Sequence, residues 1–321
     1  GHNYPFGPHH RGFHESLMLG DGGLGATNDY WGNDRFDDTY FRNGKPEKTR
    51  GFGTDVFFDN AMAFMKAQDD RPFFVYLPLN APHSPLYVPD HYRGPIREAL
   101  AGQLQKFPNL NPQRRDMLVS FLAMIVNIDE NMGRLDRFLD DAGLRDDTLL
   151  IFLTDNGSTM GPHYFNAGMK GGKVTLWEGG HRVPCFLRWP NGNLIKSTDI
   201  DELTHVQDLL PTLIDLCGLT ASGGTRQDGV SLAELLRGKV ERLNDRMLVV
   251  NYSRMPWETK RPTAINRGTP RREGAAVLWK NWRLLEDKQL YDLDNDYHQD
   301  KNVIDQFPEV AARMSSHLDA W

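Results

Sequence analysis

Apolar positions along this chain follow two rhythms. In "TDVFFDNAMAFMKAQ" (54–68) they recur at helical spacing, with Thr54 placed as an N-cap. "RPFFVYLPLNAPHSP" then reads as a short strand, 73–77, running into a proline-punctuated loop. Residues 112–141 carry the clearest helix pattern: Asn111 can cap it, Pro112 suits its first position and Gly143 suits its exit. Its apolar stripe is Leu118, Phe121, Leu122, Ile125, Ile128, Met132, Leu135 and Leu139. "TLLIFLTDNG" (148–157) begins as a strand fit for burial and ends in polar residues. A glycine-rich loop, a further strand "VPCFLRW" (183–189) and a helix near 205–217 come next, the helix carrying Val206, Leu209, Leu210, Leu213 and Leu216 inward. Strand–helix–strand alternation of this length predicts an α/β fold with a mostly parallel central sheet and helices on both faces.

Beyond about residue 240 the rhythm changes. "RMLVVNY", "GAAVLWKNWRLLED" and "QLYDLDND" are short strand candidates joined by turns, and a terminal helix is expected near 308–320. The pattern predicts a domain over 1–240 and a small C-terminal α+β subdomain, 241–321, with a short antiparallel sheet and one helix. The stretch 253–273, rich in Arg, Pro, Thr and Gly, reads as irregular.

Composition narrows the partners more than the fold. The chain has 321 residues, 25% charged and 39% hydrophobic, ordinary values for a globular protein. Its net charge of −6 without a basic block argues against nucleic acid as the main partner. Cys185 and Cys217 are too few for a disulfide framework. The apolar run "MLVSFLAMIVNI" (117–128) falls short of the roughly 20 residues of a membrane span. The opening "GHNYPFGPHHRGF" lacks the basic and apolar regions of a signal peptide.

Candidate chemistry gathers at strand ends, the edge where open α/β sheets bind ligands. Asp155 and Asn156 end the 148–157 segment and offer oxygen ligands suited to a hard cation such as Ca²⁺ or Mg²⁺. Taken alone, Asp-Asn-Gly reads first as a turn. "GMKGGKVTLWEGGHRVP" (168–184) sets two lysines among glycines, where backbone can approach an anion closely and an ammonium can reach it. "NAPHSP" puts His83 after another strand; alone, it reads as a hydrogen-bonded structural histidine. Together these features fit a site for a tetrahedral oxyanion.

"NAPHSP", "LTDNG", "FNAGMKGGKVTLWEGGHRVP", "THVQDLLPTLIDLCGL" and "LYDLDND" occur in the order and approximate spacing of the type I sulfatases, of the alkaline-phosphatase-like superfamily. The resemblance covers nearly the whole chain, and "YWGNDRFDDTYFRNGKPE" resembles the bacterial arylsulfatase-like branch in particular. It implies a sulfatase-type fold and hydrolysis of a sulfate monoester carried on a small molecule or a glycan. It also implies one Ca²⁺ and a periplasmic or secreted location. It assigns metal ligation to Asp155 and Asn156, and catalytic and sulfate-binding roles to Lys173 and His83. In the family a glycine and a small residue usually come after that lysine; here Val174 and Thr175 do.

A larger departure concerns the nucleophile. Sulfatases use a formylglycine made from Cys or Ser in C/S-x-P-x-R, and neither version occurs in these 321 residues. The family's first aspartate pair and its "GKWHLG" segment are also missing, and "GHNYPFGPHHRGF" resembles the stretch just C-terminal to that segment. The expectation is therefore a chain lacking the N-terminal part of a sulfatase and inactive by itself. Alternatives are a phosphate or phosphonate ester hydrolase of the same superfamily, or a non-catalytic remnant serving as a binding module.

Other polar residues keep plainer readings. Tyr30, Trp31, Asp34, Asp37 and Asp38 fit either the lining of a substrate entrance or the bracing of a long loop, and the bracing role is the one expected. His9, His10 and Arg11 near the terminus read as solvated, His181 and Arg182 as supports of the glycine loop, and His205 as a helix cap.

Overall fold

The structure is a computed structural model that describes residues 7–20, 30–103, 110–221, 227–251 and 272–321. It divides into two compact units, 1–145 and 146–321.

In the first unit, β1 (Leu17–Met18), β2 (Thr39–Arg42) and β3 (Lys45–Lys48) form an antiparallel sheet in that order. Helix α1 (Gly53–Lys66) starts earlier than expected: Phe52, not Thr54, is its N-cap, no side chain caps it, and Thr54 is buried in its first turn. Helix α2 (Asp90–Leu100) lies where the apolar pattern predicts none; it packs on α3 (Pro112–Asp141), the long helix, which also packs on α1. Asn111 caps α3 as its sequence signature requires, its side chain accepting from Arg114 N at 2.8 Å, and Gly143 beyond the exit has φ +67°.

The buried face of α3 differs from the apolar stripe. Leu118, Leu135 and Leu139 are buried, but Ile125 is 40% exposed. The buried positions between them are Val119, Ser120, Ala123, Met124, Asn127 and Asn131. The cause is polar: the Nδ2 groups of Asn127 and Asn131 donate to one oxygen of Asp55 on α1, at 2.8 and 2.7 Å. A carboxylate at this helix contact turns the amides inward, because a buried polar group is costly unless bonded.

The second unit holds β4 (Leu150–Leu153) paired antiparallel with β5 (Cys185–Arg188). It also holds α4 (Glu178–His181), α5 (Leu209–Leu216), α6 (Ala233–Leu236), an antiparallel meander and a final helix. The meander runs β6 (Met247–Asn251), β7 (Ala275–Trp279), β8 (Trp282–Leu285), β9 (Gln289–Asp292), closed by α7 (Pro308–Ala320). The region read as irregular falls largely at 252–271, outside the described residues.

Every residue of β7 is buried. One face, with Ala275, Val277 and Trp279, packs with Met314 and Leu318 of α7; the other, with Ala276 and Leu278, packs against Leu176 and Trp177 of the glycine loop. A strand covered on both sides needs no polar alternation, which is why "AAVLW" reads as a continuous apolar run.

The α/β class and the C-terminal antiparallel sheet match expectation, but the strand pairing differs. Among the described residues every ladder is antiparallel, and 73–77 belongs to none. That segment keeps a two-residue alternation of exposure, with Phe74 62% and Tyr76 69% exposed. Periodicity reports the backbone's extended habit, whereas a sheet also needs a partner strand. In the segment read as a 205–217 helix, a 3-10 turn (Val206–Asp208) precedes α5 and the inward set shrinks to Leu216 and partly buried neighbours; Val206 and Leu210 stand 63% and 60% exposed.

Candidate functional site

The strand β4 ends in Thr154-Asp155-Asn156-Gly157-Ser158, and this end is stitched to the glycine loop by backbone. Gly157 N donates to Gly180 O at 3.0 Å and Lys173 N donates to Ser158 O at 3.1 Å. The approach is so close that a Cβ on Gly157 would lie 1.8 Å from Gly179 O, and one on Gly180 would lie 2.1 Å from Thr175 O. A side chain at Gly157 would drive the strand end from the loop, and one at Gly180 would break the loop's own backbone packing.

Lys173 stands in a β-turn, Gly172–Thr175, closed by Thr175 N donating to Gly172 O at 3.1 Å. Thr175 Oγ1 reinforces it, accepting from Gly172 N and donating to Gly172 O at 3.1 and 2.8 Å. Val174 takes the third turn position at φ +70°, where a type II turn favours glycine. The departure from the family pattern at Val174 thus places a β-branched residue in left-handed backbone, a strain of roughly 1–3 kcal/mol.

The two lysines of the loop separate into different roles. Lys170 Nζ donates to Gln299 O at 2.8 Å and lies over the rings of Trp177 and Tyr291, at 5.2 and 5.8 Å. It is a structural cation. Lys173 is half-buried, and no acceptor among the described residues holds its ammonium. Asp155 is exposed, and among the described residues no donor or cation holds its carboxylate. Asn156 Nδ2 donates to Gly157 O at 3.1 Å, which leaves its Oδ1 as a second oxygen ligand.

Support for the loop comes from His181 and Arg182, as expected, and from Glu178 and Arg283, which sequence reasoning did not single out. Glu178, 1% exposed, accepts from Arg283 Nε of β8 at 2.7 Å, with Arg182 Nη1 at 3.5 Å and His181 Nε2 at 3.9 Å. Burial pushes the Glu178 carboxyl up, but Arg283, His181 and Arg182 outweigh it and hold the group below the usual carboxylate range. Gln299 Oε1 accepts from Glu178 N at 2.9 Å. His181, read as a loop support, donates through Nε2 to Leu176 O at 3.0 Å, and burial holds its pKa below the usual histidine value. His205 caps as expected, Nδ1 accepting from Gln207 N at 3.3 Å, and burial again lowers its pKa. The signal in the sequence was weak: Arg283 sits in "NWRLL", an unremarkable strand.

His83 belongs to the first unit and is exposed. Its Nδ1 lies 2.7 Å from Ser84 O. A carbonyl only accepts, so Nδ1 carries the proton and Nε2 is the open ring position. The loop is held from beneath by Arg35, 3% exposed, which donates from Nη2 to His83 O at 2.6 Å and from Nε to Pro85 O at 2.9 Å. The acidic residues around Arg35 build its own turn, as expected. Asp38 accepts from the backbone of Asp34 and Arg35 and from Tyr40 Oη at 2.9 Å, and Asp37 Oδ1 accepts from Gly51 N at 2.7 Å.

The sulfatase family profile matches residues 9–219. The chain belongs to the sulfatase family. A second profile, "N-sulphoglucosamine sulphohydrolase, C-terminal", matches 172–321 of this sulfatase chain. A protein named "Sulfatase" from Formosa agariphila is 27% identical over 292 residues, 84% of this chain and 50% of its own length. Mouse steryl-sulfatase is 30% identical over 57% of this chain and 27% of its own. The chain thus spans half, or less, of the length of these curated sulfatases. Among solved structures, Ps i-CgsB in complex with k-i-k-neocarrahexaose superposes with a TM-score of 0.75 at 22% identity, over 98% of this chain and 67% of that one. The phosphonate monoester hydrolase of Agrobacterium radiobacter superposes at 0.58 and 20%, over 84% and 60%. At these identities the likeness concerns the fold.

Proposed function

We propose that this chain carries the oxyanion-facing part of a sulfuric ester hydrolase whose substrate is a sulfated small molecule or sulfated glycan. The observation that carries the reading is the turn at Gly172–Thr175. It fastens an unengaged Lys173 to the same strand end that presents an unengaged Asp155. A cation held there offsets charge on sulfate oxygens as the S–O bond breaks. His83 Nε2 carries no hydrogen bond to its own loop, and by the family resemblance a protonated His83 would give a proton to a departing alkoxide.

Asp155 and Asn156 fit a hard divalent cation, Ca²⁺ by the family's habit, as two oxygen donors. Among the described residues no group of three or more His, Cys, Asp and Glu side chains completes a site. Such a cation, when bound, supplies further positive charge to the sulfate oxygens.

Calorimetric Ca²⁺ titration tests the assignment. In a chain that also carries the family's N-terminal metal ligands, Asp155→Ala should lower Ca²⁺ affinity by removing a charged ligand, and Lys173→Ala should leave it nearly unchanged, since an ammonium cannot ligate a metal. Equal loss in both folded variants would remove the role given to Lys173. With no C/S-x-P-x-R in these residues, the 321-residue chain alone should not hydrolyse an aryl sulfate above background. Steady hydrolysis abolished by His83→Ala would mean that another residue serves as nucleophile.

A further inference from the structure

In the first unit a groove of about 390 Å³ lies between the loop after Trp31 and the start of α2, lined by Asp34, Phe36, Leu86, Tyr87, Asp90 and Arg93 among others. Two aromatic faces border it in the open, Phe36 at 39% and Tyr87 at 54% exposure. Phe36 is a fixed platform: it bridges Phe52 through the backbone and packs on its ring at 5.3 Å. The opposite wall is tied to the same loop by Arg35, whose guanidinium reaches the carbonyls of His83 and Pro85. The groove is therefore built before any ligand arrives.

Its charge selects among ligands. The one cation in the lining is already engaged: Arg93 Nη2 donates to both oxygens of Asp116 at 2.8 Å, and Nη1 lies 3.7 Å from Asp90. Arg97 also bonds Asp116, at 3.0 Å. Two arginines against Asp34, Asp90 and Asp116 leave one net negative charge. The Asp90 side chain is 97% exposed, so its oxygens remain able to accept from hydroxyls. Apolar faces with carboxylate acceptors and no free cation suit a ring that is apolar on its faces and hydroxylated at its edge.

We propose that this groove binds an uncharged pyranose ring, an unsulfated sugar unit. Leu86 lies three positions after His83, so the groove opens on the loop that presents the imidazole. Its place as a subsite beside a sulfated unit rests on the sulfatase reading; the binding itself does not.

The test is saturation-transfer NMR on the 321-residue chain with neoagarotetraose, a neutral galactan fragment, and its sulfated counterpart iota-neocarratetraose. The neutral probe should bind with a Kd of about 1 mM. Tyr87→Ala should weaken it about 5- to 10-fold, the size of one aromatic contact. Asp90→Lys, checked for an unchanged unfolding midpoint because Asp90 opens α2 beside Arg93, should strengthen the sulfated probe at least about threefold at low salt. Three outcomes overturn the proposal: no neutral-probe signal at 10-fold the expected Kd, neutral binding indifferent to Tyr87→Ala, or tighter binding of the sulfated probe by the unaltered chain. Tetramethylammonium displacing the sugar at equal concentration would reassign the groove to organic cations. Because no hydrolysis is read, failure here leaves the sulfatase reading standing, and loss of Lys173 or Asp155 function leaves this one standing.

Discussion

Replacing Arg283 by methionine removes the main partner of a carboxylate that is 1% exposed. The side chains of the pair are 7% and 2% exposed, so solvent screens the contact little. Removing one partner of a buried pair costs about 3–5 kcal/mol, because the other charge stays behind unpaired. Two carbonyls also lose a donor, Lys280 O and Trp282 O, bonded to Arg283 Nη1 at 2.7 and 2.9 Å. Arg182 and His181 remain at 3.5 and 3.9 Å and recover part of the loss, so we expect about 3 kcal/mol. Urea unfolding followed by tryptophan fluorescence is a suitable assay, since Trp177, Trp279 and Trp282 all lie in the second unit. In the unaltered chain the Glu178 pKa is depressed, so its contribution is full above about pH 4.3 and is lost as pH falls through the folded-state value. Without Arg283, burial favours the neutral acid, so the gap between variant and parent should narrow on acidification. The double replacement Glu178→Met/Arg283→Met removes both charges and should regain much of the loss. A cost for Arg283→Met under about 1 kcal/mol, the worth of a surface pair, would refute the reasoning.

Arg35→Met should cost about 3 kcal/mol, two charge-assisted hydrogen bonds, and should raise proteolytic cleavage around His83 before elsewhere; uniform cleavage would deny it the role of clamp. His181 and His205 are both depressed by burial, so stability should be flat above about pH 6.5 and fall below it as the unfolded chain takes up protons first. His205→Asn, which keeps a capping acceptor, should flatten that fall, as read by denaturant midpoints across pH. Val174→Gly should stabilise by about 0.5–1 kcal/mol, relief of left-handed strain less the added freedom of glycine when unfolded; destabilisation would mean that the turn tolerates valine without strain.

Local signals were legible where one stretch of chain settles its own structure. The start, cap and exit of the 112–141 helix, the terminal helix and the four C-terminal strands come from their own residues. What escaped depends on distant pairs. The inward turn of Asn127 and Asn131 answers Asp55, some seventy positions earlier, and no periodicity contains it. The absence of a ladder at 73–77 has the same origin: an extended habit is local, a partner strand is not. At the candidate site, oxygen ligands and a lysine among glycines could be read from their chemistry, and so could the turn that valine strains. The division of labour between Lys170 and Lys173 could not, since it is set by the carbonyl of Gln299.

The supports of the glycine loop also impose a delay. Glu178 meets Arg283 and Gln299 across 105 and 121 positions of sequence. A ribosome adding about 5–20 residues per second therefore releases the loop roughly 5–25 s before its partners. Through that interval the Glu178 carboxylate and the faces of Leu176 and Trp177 have nothing of β8 or of the segment around Gln299 to settle on. The meander, whose strands pair only with sequence neighbours, can close quickly once made. Ordering of the Lys173 turn is thus timed by synthesis of residues 283–299, and slowing translation there should prolong the period in which a chaperone or protease can capture the loop.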